Sequence, residues 1–411
     1  MAPCSLAVCM VMVLMVALAP GAVDGSSRRL FGQTNGAVAA PAYGICSSVV
    51  AVHGYKCQEI DVTTDDGFIL SVQRIPKGRN GRGGSGKGKP PVIIQHGVLV
   101  DGAIWLLNSA DKNLPFILAD NGFDVWIVNT RGTRFSRRHT SMDPRSSNFW
   151  NWSWDELVAH DLPAVFNYVY GQTRQKINYV GHSLGTLLAL ASLSQGKLVN
   201  QVKSVALLSP VAYLSHMSTP LGVVGARTFA GEITKTFGLA EFDPKGKPVD
   251  LLVDYLCASP GVYCYDLMAA LTGKNCCLNA STVDLFLDHE PQSTSTKTLV
   301  HLSQIVRNGV LAKYDYGRLD YNFMQYGSIS PPRYDLSKIP KNLPMFISYG
   351  GQDALSDERD VLRLLDQLKS HNVGKLEVDF IKEYAHADFI MAINAKDLVY
   401  NKVTAFFKKQ H

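Results

Sequence analysis

The chain lacks any run of like charge. Lys and Arg number 40 against 35 Asp and Glu, an excess of +5 spread over 411 residues. No stretch would grip a phosphate backbone, and no nucleic-acid partner is expected. No fixed-period repeat is visible. Past the first residues, no apolar run reaches membrane-spanning length. Leu6 to Ala19 is apolar but short, and small residues and Gly25-Ser26-Ser27 follow it. Residues 1–25 therefore read as a secretory signal, with only the α-amino group supplying charge before the apolar run. A retained anchor is the competing reading. After cleavage the chain is expected to be soluble and secreted, or lumenal within the secretory pathway.

Cysteine is sparse. Of eight, Cys4 and Cys9 lie in the signal, which leaves Cys46, Cys57, Cys257, Cys264, Cys276 and Cys277. An even number in a secreted chain points to disulfides. Cys46 and Cys57 are close enough in sequence for a local bridge. The other four cluster, and their pairing stays open. The cluster has no histidine at ligand spacing, which argues against zinc. Gly83 to Lys89 imitates a phosphate loop, but Pro90 stands where Ser or Thr is needed and a strand follows instead of a helix. It reads as a surface loop.

What the chain does have is one dense stretch, Ile177 to Ala191. A partly β-branched apolar run leads into Gly181-His182-Ser183-Leu184-Gly185, and a Leu/Ala helix former follows. Strand, sharp turn and helix with serine at the apex match the G-x-S-x-G elbow. The glycines are needed because a side chain at 181 or 185 would collide with the neighbouring strand or helix. The Leu184 amide, opening the helix, points where an oxyanion would form.

Other strands frame it. Asp65-Asp66-Gly67 between two alternating runs predicts a hairpin. Pro91 to Leu99 reads as a buried strand that ends in His96-Gly97, and the Val98 amide is the candidate second oxyanion donor. His96 reads as a buried prop for that loop. Leu114 to Asp120 looks helical, Phe123 to Asn129 is another buried strand, and the aromatics of Phe149 to Leu157 are expected to pack the next helix, Glu156 to Val169, against the sheet. Ser153 and Glu156 fit a capping box ahead of it. Asn151 and Asn279 head glycosylation sequons, and the tryptophans around Asn151 argue against its use. From Tyr213 to Asp335 helix-like segments dominate, and strands resume at Leu343. The expected organisation is an α/β core over residues 26–212 and 336–411, interrupted by a mostly helical insertion over 213–335.

A serine hydroxyl becomes a nucleophile when an imidazole takes its proton and a carboxylate orients that imidazole. Asp353 follows a buried strand and two glycines. Asp357 and Glu358 are rivals, but Asp357 suits a helix cap better. His386 lies in the loop after the last strand.

Gln95-His96-Gly97, Gly181-His182-Ser183-Leu184-Gly185, Gly350-Gly351-Gln352-Asp353 and His386-Ala387-Asp388-Phe389, in that order, resemble the acid lipases. That family takes in gastric and lysosomal acid lipases and related plant triacylglycerol lipases, and the plant branch is nearest. Asn129-Thr130-Arg131-Gly132 and Asp161-Leu162-Pro163 also resemble its patterns. The resemblance runs from about Ile45 to Phe407. It implies an α/β-hydrolase fold, with a mostly parallel sheet, helices on both faces and a helical cap. It further implies a Ser183, Asp353, His386 triad, oxyanion amides at Val98 and Leu184, ester hydrolysis of acyl lipids, and no metal or organic cofactor. The family usually has Gln where this chain has Leu184, but the donor is a backbone amide. Pro220 to Ala226 reads equally as an interfacial piece of the cap or as cap core. A carboxylesterase, a sterol-ester hydrolase and a non-catalytic binding protein of the same fold are the alternatives.

Overall fold

The computed structural model of the protein describes residues 44–79, 88–219, 223, 226–227, 238–244 and 264–411. The expected signal, the glycine-rich stretch from Gly83 to Lys87, Cys257 and most of Pro220 to Ala226 lie outside them.

The main sheet contains nine strands. They are β1 (Gln58–Thr63), β2 (Phe68–Ile75), β3 (Pro91–Gln95), β4 (Asp124–Val128), β5 (Arg138–His139), β6 (Ile177–Ser183), β7 (Val202–Pro210), β10 (Met345–Gly350) and β11 (Leu376–Ile381). The two-residue strands β8 (Glu241–Phe242) and β9 (Thr294–Ser295) pair separately. The main order is β1-β2-β4-β3-β6-β7-β10-β11, with β5 beside β2. From β4 to β11 all neighbours run parallel, while β2 is antiparallel to β1, β4 and β5. The hairpin turn falls at Asp65-Asp66-Gly67 as predicted, with Gly67 at φ +96°.

The central strands are apolar runs because both their faces are covered. Every residue of β3, β4, β6 and β10 is buried. Alternate side chains go to opposite layers. Ile93, Trp126 and Val128 join a layer with α2 (Leu162–Thr173) and α3 (Leu184–Ser194). Val92, Ile94, Val125 and Ile127 join another with α1 (Leu114–Asp120) and α10 (Asn401–Lys408). Between β7 and β10 the described elements are mostly helical, namely α4 (Cys264–Thr272), α5 (Ala280–His289), α6 (Thr296–Asn308) and α7 (Leu319–Tyr326). Helices α8 (Glu358–Gln367) and α9 (Asp388–Met391) follow β10 and β11.

The helix expected over Glu156 to Val169 is built differently. The Ser153–Glu156 capping box forms, and one turn spans Trp154–Glu156. A wide turn covers Leu157–Asp161 before α2 begins. Pro163 has no N–H to give and its ring crowds the carbonyl four residues back, and local widening accommodates both. Trp150, Trp152 and Trp154 are buried in the core. Cys46 and Cys57 are bonded, and Cys276 is bonded to its neighbour Cys277.

Candidate active site

Ser183 ends β6 at φ +54°, ψ −120°. Such a backbone costs an L-residue on the order of 1–3 kcal/mol and is held by its surroundings. The surroundings here are two close approaches. A Cβ on Gly181 would lie 2.8 Å from the Gly185 carbonyl carbon, and one on Gly185 would lie 2.6 Å from the Gln95 oxygen. Glycine at both positions lets α3 press against β6 and against the end of β3. The Tyr179 hydroxyl donates to the Gly185 carbonyl at 2.6 Å and fixes that contact from inside. Leu184 opens α3, so its N–H has no carbonyl one turn earlier to bond. The Gly97–Val98 turn passes over the serine, since a Cβ on Gly97 would come within 3.0 Å of Ser183 Cβ.

That turn is propped as expected. Buried His96 donates from Nδ1 to the Gly97 carbonyl at 2.7 Å and accepts the Thr130 N–H on Nε2 at 3.1 Å. Burial lowers its pKa and keeps the ring neutral, which the accepting nitrogen requires. The Thr130 loop is anchored in turn. Arg131, 1% exposed, binds Asp161 through Nε at 2.7 Å and Asp66 through a terminal nitrogen at 2.6 Å. The two motif fragments Asn129–Gly132 and Asp161–Pro163 thus meet in space.

Asp353 leaves β10 and His386 leaves the neighbouring β11. The Nδ1 of His386 lies 3.0 and 3.1 Å from the two Asp353 oxygens. Gly350 makes the approach possible, because a Cβ there would sit 2.1 Å from the Tyr384 carbonyl oxygen. Asp353 also accepts N–H bonds from Leu355 (2.9 Å) and Ser356 (2.8 Å) and the Ser209 hydroxyl (2.9 Å). Burial pushes its pKa up, but the His386 charge and these bonds outweigh burial and hold it below the ordinary value. With Nδ1 turned to the carboxylate, Nε2 carries the free lone pair. It is buried and bonds no protein atom among the described residues. His182 packs its ring 4.8 Å from that of His386 and donates from Nε2 to the His386 carbonyl at 3.0 Å. Burial, with the nearby His386 charge, drives its pKa down to about 3, so it stays neutral. Asp357 caps α8 instead of approaching His386.

Several supporting residues escape a sequence reading. Ser209, at φ +47°, aims its hydroxyl at Asp353. The Thr272 carbonyl accepts the His386 N–H at 3.1 Å. Asp388, fully buried, accepts the N–H groups of Ala385, Cys276 and Cys277 and so fixes the loop on both sides of His386. The adjacent placement of Ser209-Pro210 at the end of β7, next to β6, is the one signal that marks any of them. Asn151 and Asn279 are both exposed, and Asn279 caps α5 through its side-chain oxygen. Among the described residues the one group at metal-ligand spacing is Asp65, Asp66 and His160. Arg131 engages Asp66, and Asp65 engages His160 at 2.7 Å.

Residues 46–109 match the family model of a partial alpha/beta-hydrolase lipase region, and residues 90–242 match that of the alpha/beta hydrolase fold. The chain is 57% identical over 387 residues to Triacylglycerol lipase 2 of Arabidopsis thaliana, covering 94% of this chain and 92% of that one. It is 36% identical to the gastric triacylglycerol lipase of Rattus norvegicus, covering 87% and 90%. It is 34% identical to the human lysosomal acid lipase/cholesteryl ester hydrolase, covering 88% and 90%. A soluble variant of the Saccharomyces cerevisiae monoglyceride lipase, solved with a substrate analog, shares the fold at a TM-score of 0.53 and 15% identity, covering 90% of this chain and 98% of that one. By sequence and by architecture, the chain belongs to the α/β-hydrolase lipases, in the family of the triacylglycerol and acid lipases.

Proposed function

We propose that the protein hydrolyses the carboxylic esters of acylglycerols through a Ser183–His386–Asp353 triad. The observation that carries this is the buried Asp353–His386 hydrogen bond, set among the loops that leave the strands on the same side of the sheet as the strained Ser183 turn. Ser183 Oγ attacks the ester carbonyl while His386 Nε2 takes its proton. Asp353 holds the imidazole in the required tautomer and stabilises the cation that forms. The Val98 and Leu184 amides hold the tetrahedral oxyanion. His386 then delivers the proton to the leaving alcohol, and water repeats the sequence on the acyl-enzyme. In this reading residues 1–25 direct secretion, residues 213–335 cover the acyl site as a cap, and the glycan acceptors are Asn279 and, because it is exposed although its neighbours Trp150 and Trp152 are buried, Asn151.

The test is hydrolysis of matched long-chain and short-chain triacylglycerols, below and above the concentration at which droplets form, by the protein and by Ser183→Ala. The variant is expected to lose on the order of 10⁴-fold or more in kcat. A Ser183→Ala protein that kept most of the activity would overturn the nucleophile. Activity confined to dissolved short esters would make the protein a carboxylesterase. A cholesteryl ester belongs in the same assay, because the human lysosomal relative carries that activity in its name.

A further inference from the structure

Two carboxyl groups meet in the core, and a single arginine serves them. Glu290 is 1% exposed and Asp101 is fully buried. Asp101 lies on the loop after β3, just past Val98, and Glu290 follows α5. The cation is Arg134, on the loop after β4. Asp101 engages it, accepting from Nε at 2.6 Å and from a terminal nitrogen at 3.4 Å. Asp101 also accepts the Ala103 N–H at 2.8 Å. Glu290 is less well served. Its Oε1 accepts the Asp101 N–H at 3.3 Å. Its Oε2 is sealed from solvent and bonds no donor among the described residues.

A carboxylate buried with an unbonded oxygen is unfavourable, and a second carboxylate beside it makes matters worse. A proton on Glu290 removes both penalties. It cancels the second charge, and it supplies a donor to the Asp101 carboxylate within hydrogen-bond reach. Burial and the Asp101 charge raise the Glu290 pKa well above the ordinary value, and the pull of Arg134 does not cancel them. The other titratable groups around the pair are few. His96, buried and neutral, feels the Asp101 charge. Exposed Asp288 and half-buried His289 precede Glu290 at the end of α5.

The pair sits against the loop proposed to hold the oxyanion. Leu99, next to Val98, has φ +61°, a backbone that an L-residue keeps only where its surroundings hold it. The Gln292 N–H bonds the Leu99 carbonyl at 2.7 Å, and Glu290 holds the Asp101 N–H two residues on. The Gln292 side chain accepts the Arg134 N–H at 3.2 Å, so the stretch from Glu290 to Gln292 grips both loops. We infer that Glu290 is a positioning residue for the Val98 amide, which it serves as a carboxylic acid and releases when it ionises. Two like charges then face each other in a sealed site, Asp101 moves off Glu290, and Leu99 loses what keeps its backbone left-handed. The part played by Val98 rests on the triad reading above. The proton on Glu290 does not, and it is measured without turnover.

Glu290→Gln stays neutral at every pH, with an acceptor for the Asp101 N–H and a donor for the Asp101 carboxylate. The first measurement is kcat on a dissolved short-chain ester from about pH 4 to 9. Glu290→Gln should match the parent in acid and hold its kcat where the parent's falls. Glu290→Ala, without donor or acceptor, should lose on the order of a hundred-fold in kcat across the range, with KM little changed. The second measurement is urea unfolding of both chains carrying Ser183→Ala. Glu290 binds its proton more tightly folded than unfolded, so its contribution to stability is full in acid and is lost as pH rises. From about pH 4.5 upward the parent's unfolding constant should rise up to ten-fold per pH unit faster than that of Glu290→Gln. Equal slopes would overturn the buried proton. A difference in slope with superimposable kcat profiles would overturn the positioning role. A parent inactive on every ester would sink the proposed function, and the role of Val98 with it, while the difference in slope would remain.

Discussion

Asp388 is the sharpest test of how the His386 loop is held. Its carboxylate is fully buried and accepts three N–H groups, from Ala385 at 2.8 Å and from Cys276 and Cys277 at 3.2 Å each. Asp388→Ala strands all three donors. The Ala385 donor is sealed in the core and should cost about 2 kcal/mol. Cys276 is exposed and Cys277 half-buried, so water replaces much of what they lose, and about 1 kcal/mol or less each is reasonable. The expected loss is about 2–4 kcal/mol. Asp388→Asn keeps one acceptor. Its oxygen can still serve Ala385 and Cys276, while the amide faces Cys277, so about 1 kcal/mol should go. Because Ala385 precedes His386, the alanine variant should also displace the imidazole, and a shift near 1 Å costs about a hundred-fold in rate. Urea midpoints at constant m and kcat on a dissolved ester read the two effects. The pH dependence has a definite sign. Burial raises the Asp388 pKa above its unfolded value, and its three N–H bonds do not cancel that. The group therefore stabilises the fold in acid, and that contribution fades as pH rises through the raised value. The asparagine deficit should accordingly be largest in acid. An Asp388→Ala protein within about 0.5 kcal/mol of the parent, with unchanged kcat, would refute this account of the loop.

Two further outcomes are expected. Gly185→Ala puts a Cβ 2.6 Å from the Gln95 oxygen and 3.0 Å from the His96 oxygen, both backbone, so α3 must move away from β3. The Val98 and Leu184 amides then separate, and kcat should fall about a hundred-fold with a stability loss of about 1–3 kcal/mol; an active, equally stable variant would show that the contact is not limiting. His301, buried and stacked 4.0 Å from Trp154, has its pKa driven down to about 3 by burial, against the opposing Ala312 carbonyl. The unfolded chain takes up that proton first, so stability should fall as pH drops from about 6.5 towards 3, by up to about 1.4 kcal/mol per unit from this group, and His301→Gln should flatten the slope of urea-derived stability against pH by that amount.

The elbow was legible because its signal is local. Gly181, Ser183 and Gly185 stand within one turn, and flanking residues declare strand and helix. Asp353 and His386 were legible because each follows a strand, the buried β10 and the partly exposed β11, and parallel strands gather their exit loops at one edge. Ser209 was not, because it meets Asp353 across 144 positions, with no pattern linking the two. Nor was Asp388, which reaches Cys276 across 112. The wide turn at Leu157–Asp161 hid inside an otherwise ordinary helical pattern, and only Pro163 hinted at it. Adjacent cysteines carry no vector, so the bond between Cys276 and Cys277 could not be read from the cluster.

The described part of the segment between β7 and β10 is tied to the loops that carry the residues proposed for catalysis. The Thr272 carbonyl, at the end of α4, accepts N–H groups from both His386 (3.1 Å) and Ala354 (3.4 Å). Gly273 pairs with Asp353 at φ +98°, and a Cβ there would strike the Gln352 oxygen at 2.0 Å. The end of α4 is therefore wedged between the loops of the acid and the base. Further on, the Gln292 N–H bonds the Leu99 carbonyl at 2.7 Å, and Glu290 accepts the Asp101 N–H at 3.3 Å, which ties the segment to the loop that carries Val98. Tyr314 donates its N–H to Asp155 ahead of α2. A rigid swing of the described stretch from α4 to Asp335 would break all three anchorages and pull Asp353, His386 and Val98 out of place together. The stretch cannot act as one rigid lid. From α4 onward it is part of the frame that sets the positions of the residues proposed for catalysis.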